Sequence, residues 1–182
     1  MKELSLNILD ITENSVKAKA TLVEILLTET NEMLTITIKD NGTGMTDEVL
    51  ERVSNPFYTT RTTRKVGMGI PLFKFAAEQT GGRLNIESRH FEAHPDDHGT
   101  EISATFCKTH IDFTPLGDII STITTLIQGH PDVDFVFEHK NRSDTVTLDT
   151  RELRAVLDGV PLDTFEILLW IKENLEEQYN SI

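Results

Sequence analysis

Cysteine is almost missing: Cys107 is the only one in 182 residues, so no internal disulfide can form. Nothing in the chain approaches the ~20 consecutive apolar residues that a membrane-crossing helix needs, and Met1-Lys2-Glu3 does not open a secretory leader. Basic residues are outnumbered, 17 Lys and Arg against 30 Asp and Glu, for a formal net charge of −13. That balance argues against nucleic acid or an anionic membrane as the main partner. Internal repeats and low-complexity segments are absent as well. A reduced, cytoplasmic protein is the expectation, built as one domain or as one domain with a small appendage. Cys107 sits in the alternating segment 102–107 and reads as a small packed side chain rather than a reactive thiol.

What is present has clear periods. Leu4, Ile8 and Ile11, continued by Ser15 and Ala18, share one face of a helix over residues 3–17. Residues 21–28 are β-branched and apolar, and residues 33–39 alternate with Leu34, Ile36 and Ile38 on one side. These two segments read as a strand pair around 29–32. Thr46-Asp47-Glu48 opens a short helix, and a longer one over 69–78 is stopped by Gly81-Gly82. Residues 83–88 and 100–107 supply two further strands.

Four short motifs then follow in order: Asp10-Ile-Thr-Glu13-Asn14-Ser15-Val-Lys17-Ala18, Asp40-Asn-Gly42-Thr-Gly44-Met45, Gly67-Met68-Gly69 and Gly99-Thr100. In the first, Asn7, Asp10, Asn14 and Lys17 fall in one helical stripe bordering the apolar face, where a pocket would need polar groups. Glu13 lies about 100° around the helix from Asn14 and is expected to face elsewhere. Asp40 closes an alternating strand and opens a glycine box, where a lone Asp-Asn-Gly would mean only a turn. Between the boxes, residues 53–77 hold no acid at all but include Arg61, Arg64, Lys65 and Lys74. A basic stretch leading through Gly67 and Gly69 into a helix N-terminus suits phosphate oxygens.

In this order and spacing the motifs resemble the ATP-binding domain of the GHKL superfamily, and most of all the catalytic domain of sensor histidine kinases. Asn55-Pro56-Phe57-Tyr58-Thr59-Thr60-Arg61 is similar to their phenylalanine box, and 81–88 to the strand segment that follows. The resemblance covers roughly residues 2–108. It implies a two-layer α/β sandwich, the Bergerat fold, with a mixed, mostly antiparallel sheet covered by helices. By that resemblance Asn14 holds Mg2+ against the triphosphate of ATP, Lys17 meets the phosphates, and Asp10 polarises a water or an acceptor hydroxyl as the catalytic residue. Asp40 accepts from the adenine amino group, Gly42, Gly44 and Met45 shape the base pocket, and Thr100 reaches the adenine end through water. Phe57, Thr60, Arg61, Lys65, Gly67, Met68 and Gly69 make up the nucleotide lid. Lys65 departs from the pattern, standing where a further glycine is common.

Two imitations are set aside. His90, His94 and His98 recur at metal-ligand spacing beside Asp96 and Asp97, but Pro95 breaks any helix that would align them. His110-Ile-Asp-Phe-Thr-Pro-Leu mimics a phosphoacceptor box, yet it follows the ATP-binding domain, lacks an acid after the histidine and looks strand-like.

The expected organisation is an ATP-binding domain over 1–109 and a small C-terminal α/β unit over 110–182. In the latter, 116–127 is helical, and Val133, Phe135 and Phe137 alternate, as do Val146 and Leu148. Thr150 and Asp163 cap two helices, and Trp170 belongs to the core. Three roles are open to this unit: packing on the first domain, forming a homodimer, or binding a partner protein. The functional expectation is a stand-alone Mg-ATP-binding regulatory protein, a kinase-type signalling component that acts on a separate protein partner. The alternative is a nucleotide-gated binding module that exchanges ATP and ADP with slow hydrolysis or none.

Overall fold

Alternation along each strand decides how the sheet is covered. The structure is a computed structural model, and it describes residues 3–54 and 68–181. In chain order the elements are α1 (Leu4–Lys17), β1 (Leu22–Glu29), β2 (Met33–Asp40), α2 (Asp47–Ser54), α3 (Gly69–Gln79), β3 (Arg83–Arg89) and β4 (Gly99–Cys107). They continue with α4 (Ile119–Gly129), β5 (Asp134–Lys140), β6 (Thr145–Asp149), α5 (Thr150–Leu157) and α6 (Phe165–Asn180). The six strands form one sheet in the order β3-β4-β2-β1-β5-β6. Only β1 and β5 run parallel; the other four pairings are antiparallel.

Because side chains alternate across a strand, each register line contributes one residue per strand to the same face. Ile86, Ile102, Ile38, Ile25, Phe137 and Leu148 make one apolar line across all six strands. Helices cover this face in sequence: α3 over β3 and β4, α1 over β2, α4 over β5 and α6 over β6. Phe73 of α3 and Phe106 of β4 seal one end, with ring centroids 5.5 Å apart. The other face carries half-exposed residues such as Thr35, Thr37, Ser103 and Thr105. This is the two-layer α/β arrangement expected, with a mixed, mostly antiparallel sheet.

Residues 110–182 extend that sheet rather than forming one of their own, since β5 pairs with β1. They also start α1: its first amides, Leu4 N and Ser5 N, donate to Pro115 O and Leu116 O at 2.9 and 2.8 Å. Those bonds replace a side-chain cap, which Glu3 does not supply.

Several expectations in this half shift. The helix expected from residue 116 begins at Ile119, because Gly117 is left-handed (φ 78°) and Asp118 caps Ser121 N at 2.9 Å. Asp149, not Thr150, caps α5; Thr150 is buried and instead accepts from Phe135 N at 2.8 Å. Thr164, not Asp163, stands at the N-cap of α6. Trp170 is 49% exposed, since Ile171 and Leu175 take the inward stripe of α6 and residue 170 lies about 100° away. His110 lies in a turn rather than a strand, its amide bonded back to Cys107 O.

One inward line contains a misfit. Leu84, Ala104, Ile36, Leu27 and Val146 share it with His139. The His139 Nε2–H donates to Glu29 Oε1 at 3.2 Å, and the Tyr179 hydroxyl donates to Nδ1 at 2.7 Å. Lys108 pairs with the other Glu29 oxygen. Every polar atom of the neutral ring is therefore satisfied. Burial holds the His139 pKa below its ordinary 6.5, with the neighbouring Glu29 charge opposing that shift. Burial also pushes the Tyr179 phenol up.

A histidine whose folded pKa is depressed stays neutral while the unfolded chain takes up a proton. Its stabilising contribution is complete above about pH 6.5 and declines as pH falls through and below that value. Urea midpoints measured at pH 7.5 and 5.5 are expected to drop at the lower pH. The drop should be smaller in His139→Gln.

Candidate functional site

The inward face changes character one register line beyond Ile86, Ile102 and Ile38. There Ser88, Thr100 and Asp40 sit side by side on β3, β4 and β2. Thr100 and Asp40 are buried, and the Ser88 and Thr100 hydroxyls are 2.8 Å apart. From the helix layer, Ser15 Oγ donates to Asp40 Oδ2 at 2.7 Å, while Gly42 N donates to Oδ1 at 2.9 Å. Each carboxylate oxygen has two lone pairs, so Asp40 keeps acceptor capacity in a largely dry setting. This buried carboxylate is held from two sides and is not paired with a cation among the described residues.

The glycine box wraps this end of the sheet. Gly44 has φ 67° and lies so close to β3 that a Cβ there would come within 2.0 Å of Arg89 O. Met45 N then donates to Ser88 Oγ at 2.8 Å, and the Met45 side chain packs against the core. At the other side of α1, Gly69 opens α3 directly against Asp10: a Cβ on it would lie 3.0 Å from the Asp10 Cβ. The third box and the first are thus neighbours, and the amino end of α3 faces the exposed Asp10.

Among the sequence-predicted site residues, α1 carries three: Asp10 and Lys17 are exposed and Asn14 is half-buried. Asn14 immediately precedes the Ser15 that grips Asp40. Asn7, expected in the same polar stripe, is buried instead, and its Nδ2 has no hydrogen-bond partner among the described residues. Asp40, Gly42, Gly44, Met45 and Thr100 gather at the sheet end as described. Met68 is exposed at the N-cap of α3. Phe57, Thr60, Arg61, Lys65 and Gly67 lie outside the described residues.

Sequence reasoning missed Ser15, Ser88 and His98. In the sequence Ser15 is a small residue continuing the apolar face. Ser88 is visible as the inward position of the 83–88 alternation, two residues beyond Ile86. The histidine spacing points only to metal ligation, but His98 Nδ1 meets Gly42 O at 2.6 Å. No group of three or more His, Cys, Asp or Glu side chains among the described residues is arranged to hold a metal ion. Glu13 faces away from the site, as expected, and accepts from His130 Nε2 at 2.8 Å.

A family model described as histidine kinase-, DNA gyrase B-, and HSP90-like ATPase matches residues 2–110. Sporulation kinase C of Bacillus subtilis (strain 168) is 32% identical over 90 residues, 48% of this chain and 20% of that kinase. Sporulation kinase A of the same organism is 29% identical over 108 residues, 59% of this chain and 16% of that kinase. The chain therefore spans a fifth or less of these curated relatives. Among solved structures, the Aquifex aeolicus MutL ATPase domain complexed with ADP superimposes with a TM-score of 0.55 at 17% identity. The match covers 87% of this chain and 70% of that one, and shows a shared fold. With more than half of its residues inside that family match, the chain belongs to the histidine kinase-, DNA gyrase B- and HSP90-like ATPases.

Proposed function

We propose that this protein binds Mg-ATP at the Asp40 end of the sheet and works as a kinase-type signalling component acting on a separate protein partner. The observation that carries the reading is the polar line Asp40–Thr100–Ser88, closed by Ser15, one register line beyond the apolar line of Ile86, Ile102 and Ile38. Asp40 accepts from the adenine amino group, and the glycine box leaves the base free of side-chain obstruction. The donor set fits a magnesium nucleotide: Asn14 offers a neutral oxygen on the same helix as Lys17, which meets phosphate charge. Bound magnesium would screen the charge of the triphosphate. Asp10, next to the amino end of α3, is the group in position to take a proton from an acceptor hydroxyl or a water. The single cysteine and the acidic surface support a cytoplasmic protein that does not bind nucleic acid. Relatives named as sporulation kinases support the signalling role.

A second reading is kept by one observation. Asp10 has a side chain one methylene shorter than glutamate, which favours slow turnover. On that reading the protein is a nucleotide-gated module whose partner surface differs between its ATP and ADP states.

Asp40→Asn replaces an acceptor with a donor that faces a donor. The loss expected is about 1.5–3 kcal/mol, roughly tenfold to a hundredfold in ATP affinity. Calorimetry with ATP and GTP checks it, and equal binding of both nucleotides by the wild type would remove the basis of the proposal.

Asn14→Ala is expected to abolish the magnesium-dependent part of triphosphate binding while leaving the adenine contact. Titrations of ATP with and without magnesium measure this directly. A wild-type affinity indifferent to magnesium would end the assignment of Asn14.

Incubation with γ-labelled ATP and magnesium should label the chain itself little or not at all, because His110 sits in a turn and not on a helix. A candidate partner should take up label only while Asp10 is intact. If the protein is a gated module instead, partner affinity should change between ATP and ADP with no transfer of label. Strong acid-labile self-labelling that vanishes in His110→Ala would restore a histidine autokinase.

A further inference from the structure

The peptide linking Gly42 and Thr43 is held at both ends. Its N–H donates to Ala18 O, just past the end of α1, at 2.8 Å. Its carbonyl meets His98 Nδ1 at 2.6 Å. A carbonyl can only accept, so His98 carries its proton on Nδ1 here. The neighbouring peptide supplies Gly42 N to Asp40 Oδ1 at 2.9 Å. One short chain of contacts thus runs from the His98 ring through the glycine-box backbone to the carboxylate proposed to read adenine.

His98 reaches this place because the β3–β4 connection, residues 90–98, folds back over the box. Phe91 N donates to Thr43 O at 3.0 Å, and Arg89 pairs with Asp97, which positions the residue just before His98. The carbonyls of both central box residues are therefore taken by this one connection, Thr43 O by a backbone amide and Gly42 O by an imidazole. A backbone amide is indifferent to sequence. The imidazole is the one member of this clamp that depends on which side chain stands at its position.

We infer that His98 is a positioning residue for base recognition: its Nδ1–H fixes the Gly42–Thr43 peptide, and with it the direction of the Asp40 carboxylate. The inference rests on the nucleotide reading above. It adds that discrimination between adenine and guanine depends on a residue that does not touch the base. With the Gly42 carbonyl released, the box backbone could shift as a unit, carrying Gly42 N away from Oδ1 and leaving Asp40 held by Ser15 alone. That would loosen the angle at which the carboxylate meets an amino group.

The test uses two amides of different reach. Asn places Nδ2 where His places Nδ1, so His98→Asn keeps the donor. Gln carries its amide one bond further out and cannot supply it at the same point. Calorimetry with ADP, ATP and GTP on the full chain is paired with thermal melts of the ligand-free protein. His98→Asn is expected to bind ATP within about twofold of wild type. His98→Gln is expected to lose about fivefold to tenfold in ATP and ADP affinity, with the ATP-over-GTP preference reduced by a similar factor and GTP binding little changed.

Three results would overturn the inference. His98→Gln could bind like wild type; His98→Asn could be as weak as His98→Gln; or both nucleotides could weaken equally, which is the mark of a loop tether with no part in recognition. Should either variant melt too low for calorimetry, His98→Ala measured below its midpoint gives the same ATP-to-GTP ratio. Absence of adenine-nucleotide binding by the wild type is a different outcome, for it removes the nucleotide reading itself.

Discussion

The alignment of β2 against β4 holds the site in existence. Asp40 stands opposite Thr100 only because Ile38 stands opposite Ile102 and Ile36 opposite Ala104. Side chains alternate with a period of two, so a slip of one residue would turn Asp40 to the open face of the sheet and expose every inward isoleucine of β2. The apolar lines therefore act as a ruler for the polar one. Burial of Ile25, Ile36, Ile38 and Ile102 fixes the register, and the register delivers a carboxylate, two hydroxyls and a glycine turn to one point. Ser15 then locks the helix layer to the strand layer there, across 25 residues of chain.

The order of elements and the face each strand buries were legible because they are periodic within short segments. Asp40 and Thr100 were legible for the same reason, each ending or beginning an alternating run beside a glycine. Ser15 was harder. It lies one residue from Asn14, hence about 100° around the helix, and its small size suits a packed interface. Only the approach of β2 makes its hydroxyl a donor. His98 shows the same limit: the spacing of three histidines suggested a shared ligand, whereas the partner of this one is a backbone carbonyl 56 residues away. The helix starts at Ile119 and Thr150 moved because capping is settled by which side chain can turn back on the first amides, here Asp118 and Asp149; α6 starts at Phe165 with no side-chain cap. The apolar neighbours of Trp170 in sequence point to the core. On a helix those neighbours share a face only at intervals of three and four.

The C-terminal residues have a closer relation to the site than their distance in sequence suggests. Helix α1 carries Asp10, Asn14 and Lys17, and it is held from that side at two points. Its first turn hangs from the Pro115 and Leu116 carbonyls, and Glu13 near its far end is held by His130. Between these points α4 packs along it. The direction in which Asn14 points is thus set partly by residues beyond the family match. His139 contributes further along the same seam, tying β5 to β1 through Glu29 and to α6 through Tyr179.

The family match ends at residue 110, but β1 does not end the sheet there. Its outer side is paired, residue for residue from Leu22 to Thr28, with the parallel strand β5. Strip away everything after residue 110 and that side becomes a bare ladder of amides and carbonyls, flanked by an apolar face that α4 no longer covers. Such an edge invites pairing with another chain. The part of this protein that looks most like a portable module is thus the part least suited to being carried elsewhere. What sits beyond it is a border strip for the sheet before it is anything else.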